Sequence, residues 1–204
     1  MNSAFNLESQ HEDIDSKIAA AIERLSQAYR VLLWRKNKEH TLSPIQIQIL
    51  VFLLQHGKAL STVGQLAREF SLTPATVSDA INSLAKKGLA IREKKDSDQR
   101  IISVLLTAQG RKTARKLSTW ADIVRERISQ IEADDKLTVM QFLMQLIDSL
   151  QQEGVITVAR MCITCNYFQM NSHPKSDSPY RCQLLNKPLA RSELRLDCLE
   201  HAER

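Results

Sequence analysis

At 204 residues, 43% of them apolar and 25% charged, the chain is long enough to bury one full core and carry an appendage. No apolar run approaches the length of a bilayer crossing, and the first residues have neither a basic start nor an apolar stretch. A membrane span and a secretory signal are therefore not expected, and a reducing cytoplasm is the expected setting.

The net charge of +5 is unevenly spread. Residues 58–112 hold ten Lys or Arg against five Asp or Glu, while the rest of the chain holds eighteen of each. The whole positive excess lies in one segment, as it would if that segment met phosphates, although a basic solvated region gives the same count.

In chain order, residues 1–11 are polar and read as a flexible N-terminus. From Glu12, Ile14, Ile18, Ile22, Leu25 and Tyr29 fall on one side, and Leu32 and Leu33 carry the stripe to about Trp34, which predicts a long first helix in need of a partner. Ser43-Pro44 opens a second helix with Ile45, Ile49, Phe52 and Leu53 inward and Gly57 at its end. The alternation Ile45-Gln46-Ile47-Gln48-Ile49 also suits a strand, but the cap, the proline, the length and the glycine agree on helix. Val63, Leu66, Ala67 and Phe70 then recur at helical spacing behind Ser61 as a cap. After Ser71-Leu72, Thr73-Pro74 restarts helix at once, with Val77, Ile81 and Leu84 inward and Gly88 as the stop.

That pair reads as a helix-turn-helix. The outer face of its second helix carries Ala75, Thr76, Ser78, Asp79, Asn82 and Lys86. Small polar residues let a helix approach base edges in a major groove, whereas an ordinary solvated face is the bland alternative. Leu89-Ala90-Ile91-Arg92, a charged tip with Lys94, Lys95 and Arg100, and the β-branched run from Ile101 to Leu106 then predict a hairpin, completing a winged helix. Thr107 caps a helix expected to run to about Ile131, with Leu117, Trp120, Ile123, Ile128 and Ile131 apolar. Asp134 or Asp135 is the expected cap of the last helix, with Leu137, Met140, Leu143, Ile147 and Leu150 inward and Gly154 ending it. The first helix and these last two supply more apolar face than one subunit covers. A two-fold homodimer answers that need, with a thick-cored monomer as the alternative.

The order of elements, the run Lys86-Lys87-Gly88-Leu89-Ala90-Ile91-Arg92, and Asp98-Gln99-Arg100 leading to Leu106-Thr107-Ala108-Gln109-Gly110 resemble the MarR-type (multiple antibiotic resistance regulator) winged-helix repressors over residues 12–153. Asp98, Arg100, Leu106-Thr107 and Gly110 match the wing signature of that family. Ser97 stands where such proteins usually carry a wing-tip arginine, and Asp79 where a basic residue is common, so Lys94, Lys95 and Arg100 are the substitutes at the tip. The resemblance implies a dimer in which the first helix packs with the last two of both subunits. Two recognition helices would then meet a pseudo-palindromic operator in double-stranded DNA, with a small-molecule effector site in the cleft between dimer helices and winged helix. Thr76, Ser78, Asp79 and Asn82 would read bases, Asp79 by accepting from cytosine, while Lys86, Lys94, Lys95 and Arg100 would attract phosphates.

Beyond Gly154 the character changes. All four cysteines lie there, at Cys162, Cys165, Cys182 and Cys198. Some fifty residues with few large apolar groups need a staple, and two thiols as Cys-x2-Cys with two more from separate segments suit a metal. Zinc is the first expectation, an iron–sulfur cluster the alternative, and reversible disulfides or free thiols a third; His201 is an alternate fourth ligand. No Ser/His/Asp or Cys/His arrangement suggests catalysis, and His11, His40, His56, His173 and His201 are scattered, so an enzyme is not expected.

The expected architecture is thus mainly α, an α+β winged helix: a dimeric winged helix-turn-helix with long N- and C-terminal dimerisation helices and a small metal-stapled C-terminal module. Residues 1–11 are the flexible start, 12–154 the DNA-binding and dimerisation domain, and 155–204 the cysteine-rich appendage. The expected function is a DNA-binding transcriptional repressor whose metal site is structural or sensory. The rival reading is an iron–sulfur redox sensor or electron-transfer protein centred on the cluster.

Overall fold

The computed structural model describes residues 3–58, 60–95, 98–170, 172 and 176–204, with backbone alone at 37–39, 95 and 98–101. Eight helices run α1 (Leu7–Glu12), α2 (Ile14–His40), α3 (Pro44–His56), α4 (Val63–Glu69), α5 (Pro74–Lys86), α6 (Ala108–Leu117), α7 (Asp122–Ser129) and α8 (Ala133–Gln152) among the described residues. The hairpin β1 (Ala90–Lys95) and β2 (Asp98–Leu106) lies between α5 and α6. A separate three-stranded antiparallel sheet, β3 (Phe168–Gln169), β4 (Tyr180–Cys182) and β5 (Lys187–Leu189), belongs to the cysteine segment. The architecture is the winged helix expected from the sequence.

Local chemistry explains most boundaries. Ser43 accepts from the Gln46 N–H while the Gln46 side chain accepts from the Ser43 N–H, a reciprocal cap that starts α3 behind Pro44. Gly57 ends it at a φ of 57°. Thr73 caps α5 by accepting from the Thr76 N–H. The strand alternative for 45–49 is excluded, because Ile47, Ile49 and Leu50 are all fully buried on a helix that packs on several sides. The core gathers these with Leu66, Val77, Ile81, Leu84, Val104 and Leu117, so α3 backs the helix-turn-helix and the hairpin together.

Several expected boundaries are corrected. Thr62, not Ser61, caps α4, in a reciprocal bond with Gln65; Ser61 is instead buried, its hydroxyl donating to the Lys58 carbonyl and its own carbonyl accepting from Val104 N–H. Within the expected flexible start, Leu7–Glu12 are helical, capped by Asn6. The first long helix runs six residues past Trp34, to His40. The helix expected from Thr107 to Ile131 breaks at 118–121. There the Ser118 and Thr119 hydroxyls bond back to the Arg115 and Lys116 carbonyls, and Trp120 turns edge-on to Tyr29 of α2, with ring centres 5.5 Å apart. Neither Asp134 nor Asp135 caps α8. Both sit in its first turn, where carboxylates complement the helix dipole, and Glu132 precedes it without a side-chain cap bond.

Gly110 has a packing reason to be glycine. A Cβ there would lie 1.8 Å from the Leu89 carbonyl oxygen, so α6 can cross the start of the hairpin only without a side chain. Thr107 completes the crossing: its N–H donates to Leu89 O, its hydroxyl donates to Gly88 O, and its oxygen accepts from Gly110 N–H. Gly110→Ala is expected to lower the unfolding free energy by about 3 kcal/mol in urea titration. Gly64→Ala, in α4 with nothing within 4 Å of the added carbon, is expected to raise it by about 0.5 kcal/mol.

Candidate nucleic-acid interface and cysteine cavity

α5 buries Val77, Ala80, Ile81 and Leu84 and leaves Ala75, Thr76, Asp79, Asn82 and Lys86 exposed, with Ser78 half-buried. The expected outer face is therefore brought together on one helix. Two of its side chains are bonded to the hairpin. Arg92, on β1, donates from one guanidinium nitrogen to Ser78 Oγ at 3.0 Å and to Asn82 Oδ1 at 2.9 Å. Each oxygen thereby accepts one bond from Arg92, while the Asn82 amide N–H groups and the Ser78 hydroxyl proton are not used by that contact. This contact of Arg92 is not legible in the sequence. The charge of the arginine is visible, but no local spacing rule joins it to residues 10 and 14 positions earlier.

The hairpin pairs Ala90 with Leu106 through Lys94 with Ile102, and its register shifts between Lys94 and Lys95. Lys94 is exposed, while Lys58 pairs with Glu93 at 2.8 Å across open solvent, a weak bond at such exposure. The side chains of Lys95 and Arg100 lie outside the described residues, as does Ser97. Lys87, which follows α5, donates to the Thr41 carbonyl and ties the helix end to the loop before α3. An open, largely apolar groove of about 600 Å³ runs between the end of α3 and the hairpin, lined by Leu53, Leu54, Ile91 and Leu105 together with Lys58 and Arg111.

A second constellation lies in residues 155–204. Cys162 sits in a single 3-10 turn with Cys165 just after it, Cys182 ends β4, and Cys198 lies in the final loop. β3 pairs Phe168 with Cys182, which brings the third thiol to the Cys-x2-Cys turn. Cys162 N–H donates to Arg195 O and Arg195 N–H donates back to Cys162 Sγ at 3.1 Å, which draws in the segment carrying Cys198. All four cysteines line one small cavity of about 40 Å³ walled by Tyr167, Phe168 and Leu189. None is in a disulfide. As the side chains stand, no three His, Cys, Asp or Glu among the described residues are grouped so that they could hold a metal ion. The thiols share a cavity without being closed on a point.

Burial pushes the Cys162 thiol above its usual range; the Arg195 N–H opposes this and the three neighbouring cysteines add to it. His201, the alternate ligand, is not on this cavity. It bonds Thr164 Oγ1 at 2.9 Å and faces a different cleft, beside Arg160 and Glu203.

Arg160 was not foreseen either; its only signal was a lone cation between Ala159 and Met161. It is 15% exposed, and donates to Glu69 of α4 at 2.6 Å and to Asp197 at 2.9 Å. Burial works against its charge, but these two carboxylates outweigh that and hold its pKa above the usual value. Burial likewise opposes the Asp197 charge, and bonds from Arg160 and His56 overcome it, holding Asp197 below the usual carboxylate range.

Residues 40–101 match the family model described as MarR family. Among curated proteins, the transcriptional regulator AdcR of Streptococcus pneumoniae serotype 2 (strain D39) is 24% identical over 144 residues, 69% of this chain and 97% of that protein. The uncharacterized HTH-type transcriptional regulator YwhA of Bacillus subtilis is 23% identical over 99 residues, 48% of this chain and 70% of that one. Among solved structures, MepR of S. aureus in its DNA-binding conformation superposes with a TM-score of 0.60 at 21% identity, over 66% of this chain and 98% of its own. A MarR transcriptional regulator from Methanosarcina mazei Go1 superposes at 0.57 and 19% identity, over 66% of this chain and 96% of its own. About a third of the present chain thus has no counterpart in these two structures. The match over residues 40–101 and the order of elements agree, and the chain is similar to MarR family proteins in that segment and has the winged helix-turn-helix fold of these structures.

Proposed function

We propose that the protein is a transcriptional regulator that binds a pseudo-palindromic DNA operator as a homodimer and represses by occupying it. The observation that carries the reading is the small, exposed polar face of α5, braced by Arg92, inside the one segment that holds the chain's whole positive excess. AdcR is a transcriptional regulator by name, and a MepR–DNA complex with a TM-score of 0.59 to this chain supports the same use of the fold.

The dimer reading rests on unpartnered apolar surface. Leu25 and Val31 of α2, Ile123 and Ile128 of α7, and Val139 and Phe142 of α8 are each between 39% and 56% exposed. Apolar side chains gathered on three helices favour a covering surface, and a second copy supplies one with two-fold symmetry. Such a pair presents two α5 helices to successive major grooves. The groove beside the hairpin has the apolar lining and the charged residues that a small effector would need.

The four cysteines are read as ligands of a thiolate-bound metal. A single zinc ion holds its thiolates at about 2.3 Å, so four sulfurs that already share a cavity would turn about their Cα–Cβ bonds to meet it. The Arg195 N–H directed at Cys162 would support that thiolate in the bound form. The bound metal would supply a fixed crosslink among three separate segments.

Arg92→Ala removes the brace from Ser78 and Asn82 and is expected to weaken operator binding about tenfold, read by fluorescence anisotropy, with a smaller effect on random-sequence duplex. Lys94→Ala combined with Lys95→Ala is expected to reduce the slope of log affinity against log salt by about one to two; an unchanged slope removes the hairpin from the phosphate contacts. Val139→Glu with Leu143→Glu is expected to convert the dimer to single subunits in sedimentation velocity, with operator binding lost in parallel.

A further inference from the structure

We propose that the cysteine segment is a regulatory wedge: a thiolate-bound metal in the four-cysteine cavity holds residues 155–204 where they tie the helix-turn-helix to α8, so that metal loading raises affinity for DNA. The inference rests on the DNA and metal readings above and adds the coupling between them.

Three sets of contacts define the wedge. Thr157 grips the turn between the two helices of the DNA-binding motif. Its hydroxyl donates to the Arg68 carbonyl at 2.6 Å, and its N–H donates to Ser71 Oγ at 3.3 Å. The Ser71 and Thr157 hydroxyls also lie 2.9 Å apart. Ser71 holds the turn at a φ of 50°, so the grip falls on the residue where the chain changes direction toward α5.

Arg160 supplies the second set, joining Glu69 at the end of α4 to Asp197. His56, in the last turn of α3, reaches the other oxygen of Asp197 at 2.7 Å. Asp197 precedes Cys198, whose N–H donates to the Arg160 carbonyl at 3.0 Å. One cysteine of the cavity is thus a single residue away from the carboxylate that receives bonds from both Arg160 and α3.

The third set is apolar. Ala159 and Met161 are buried against Met144 of α8, with Met140 and Ile147 beside them. Within five residues, Thr157 to Met161, the chain touches the helix-turn-helix, the cysteine loop and the long final helix.

That position matters because α8 is on the dimer side of the reading and α5 on the DNA side. The angle between them sets the separation of two recognition helices, which must match one helical turn of DNA. The segment's own buried apolar groups are few, Ala159, Met161, Phe168 and Leu189 among them, so it does not hold this shape on packing alone. Losing the metal frees the wedge, and ordering the two recognition helices must then be driven by DNA binding itself. A metal that only folded a tail would leave DNA affinity untouched.

The test compares full-length protein stripped by chelation under anaerobic reducing conditions with the same protein reconstituted with zinc, or with ferrous iron and sulfide. Kd for the operator duplex is read by fluorescence anisotropy, and metal and sulfide content by direct analysis. One reconstitution is expected to tighten binding by about tenfold or more. Arg160→Met is expected to bind the same metal per subunit yet show less than about a threefold difference between loaded and stripped forms. Equal Kd for loaded and stripped wild type overturns the coupling and leaves the DNA reading standing. A full metal response in Arg160→Met overturns the wedge. Failure of both reconstitutions to leave bound metal overturns the site, and failure of every form to bind duplex overturns the regulator reading itself. Far-UV circular dichroism guards the comparison: a collapse of helix content on stripping counts against the wedge, because the metal would then act on folding as a whole.

Discussion

The crossing of α6 over the first residues of the hairpin is the constraint on which the winged helix depends. Gly110 lies against the Leu89 carbonyl, and Thr107 spends its N–H, its hydroxyl proton and its oxygen on that one joint. The end of α5, the root of the hairpin and the start of the C-terminal helices are held within a few ångströms by bonds with no slack. The buried residues of α3 then press on the inner sides of α5 and β2, so the direction of α5 follows from a joint and a core.

Two arginines each join segments of that frame that are far apart in the sequence. Arg92 fixes the donors and acceptors that the face of α5 displays, and so narrows what that face can recognise. Arg160, itself 15% exposed, holds two carboxylates, Glu69 on the helix-turn-helix at 19% exposure and Asp197 beside a cysteine of the cavity at 44%. Its pair with Glu69 is the better shielded, whereas solvent screens the charge between Lys58 and Glu93 on the open hairpin.

Much of this was legible in the sequence because the signals were local. Ser43-Pro44 and Thr73-Pro74 with Gly57 and Gly88 gave the helix limits, helical spacing gave Val77, Ile81 and Leu84, and the run to Leu106 gave the hairpin. What escaped notice depended on tertiary choice. Ser61 and Thr62 are equally good caps on paper, and only burial of Ser61 under β2 decides between them. The break at 118–121 follows from where Trp120 finds Tyr29, a partner some ninety residues earlier. Met144, the most buried residue of α8, was passed over because its burial comes from the cysteine segment and not from the helix's own stripe. His201 satisfied the spacing for a ligand but was taken by Thr164.

The two sides of residues 157–161 differ in mechanical character. Toward the helix-turn-helix the fastening is directional, built from hydroxyls and ion pairs that hold only at set distances. Toward α8 it is lined by Met140, Met144 and Met161, unbranched thioether chains that refill their space after a shift at little cost. Residues 157–161 are thus set in register on the helix-turn-helix by their bonds, while their seat against α8 is one whose side chains can refill the space around it.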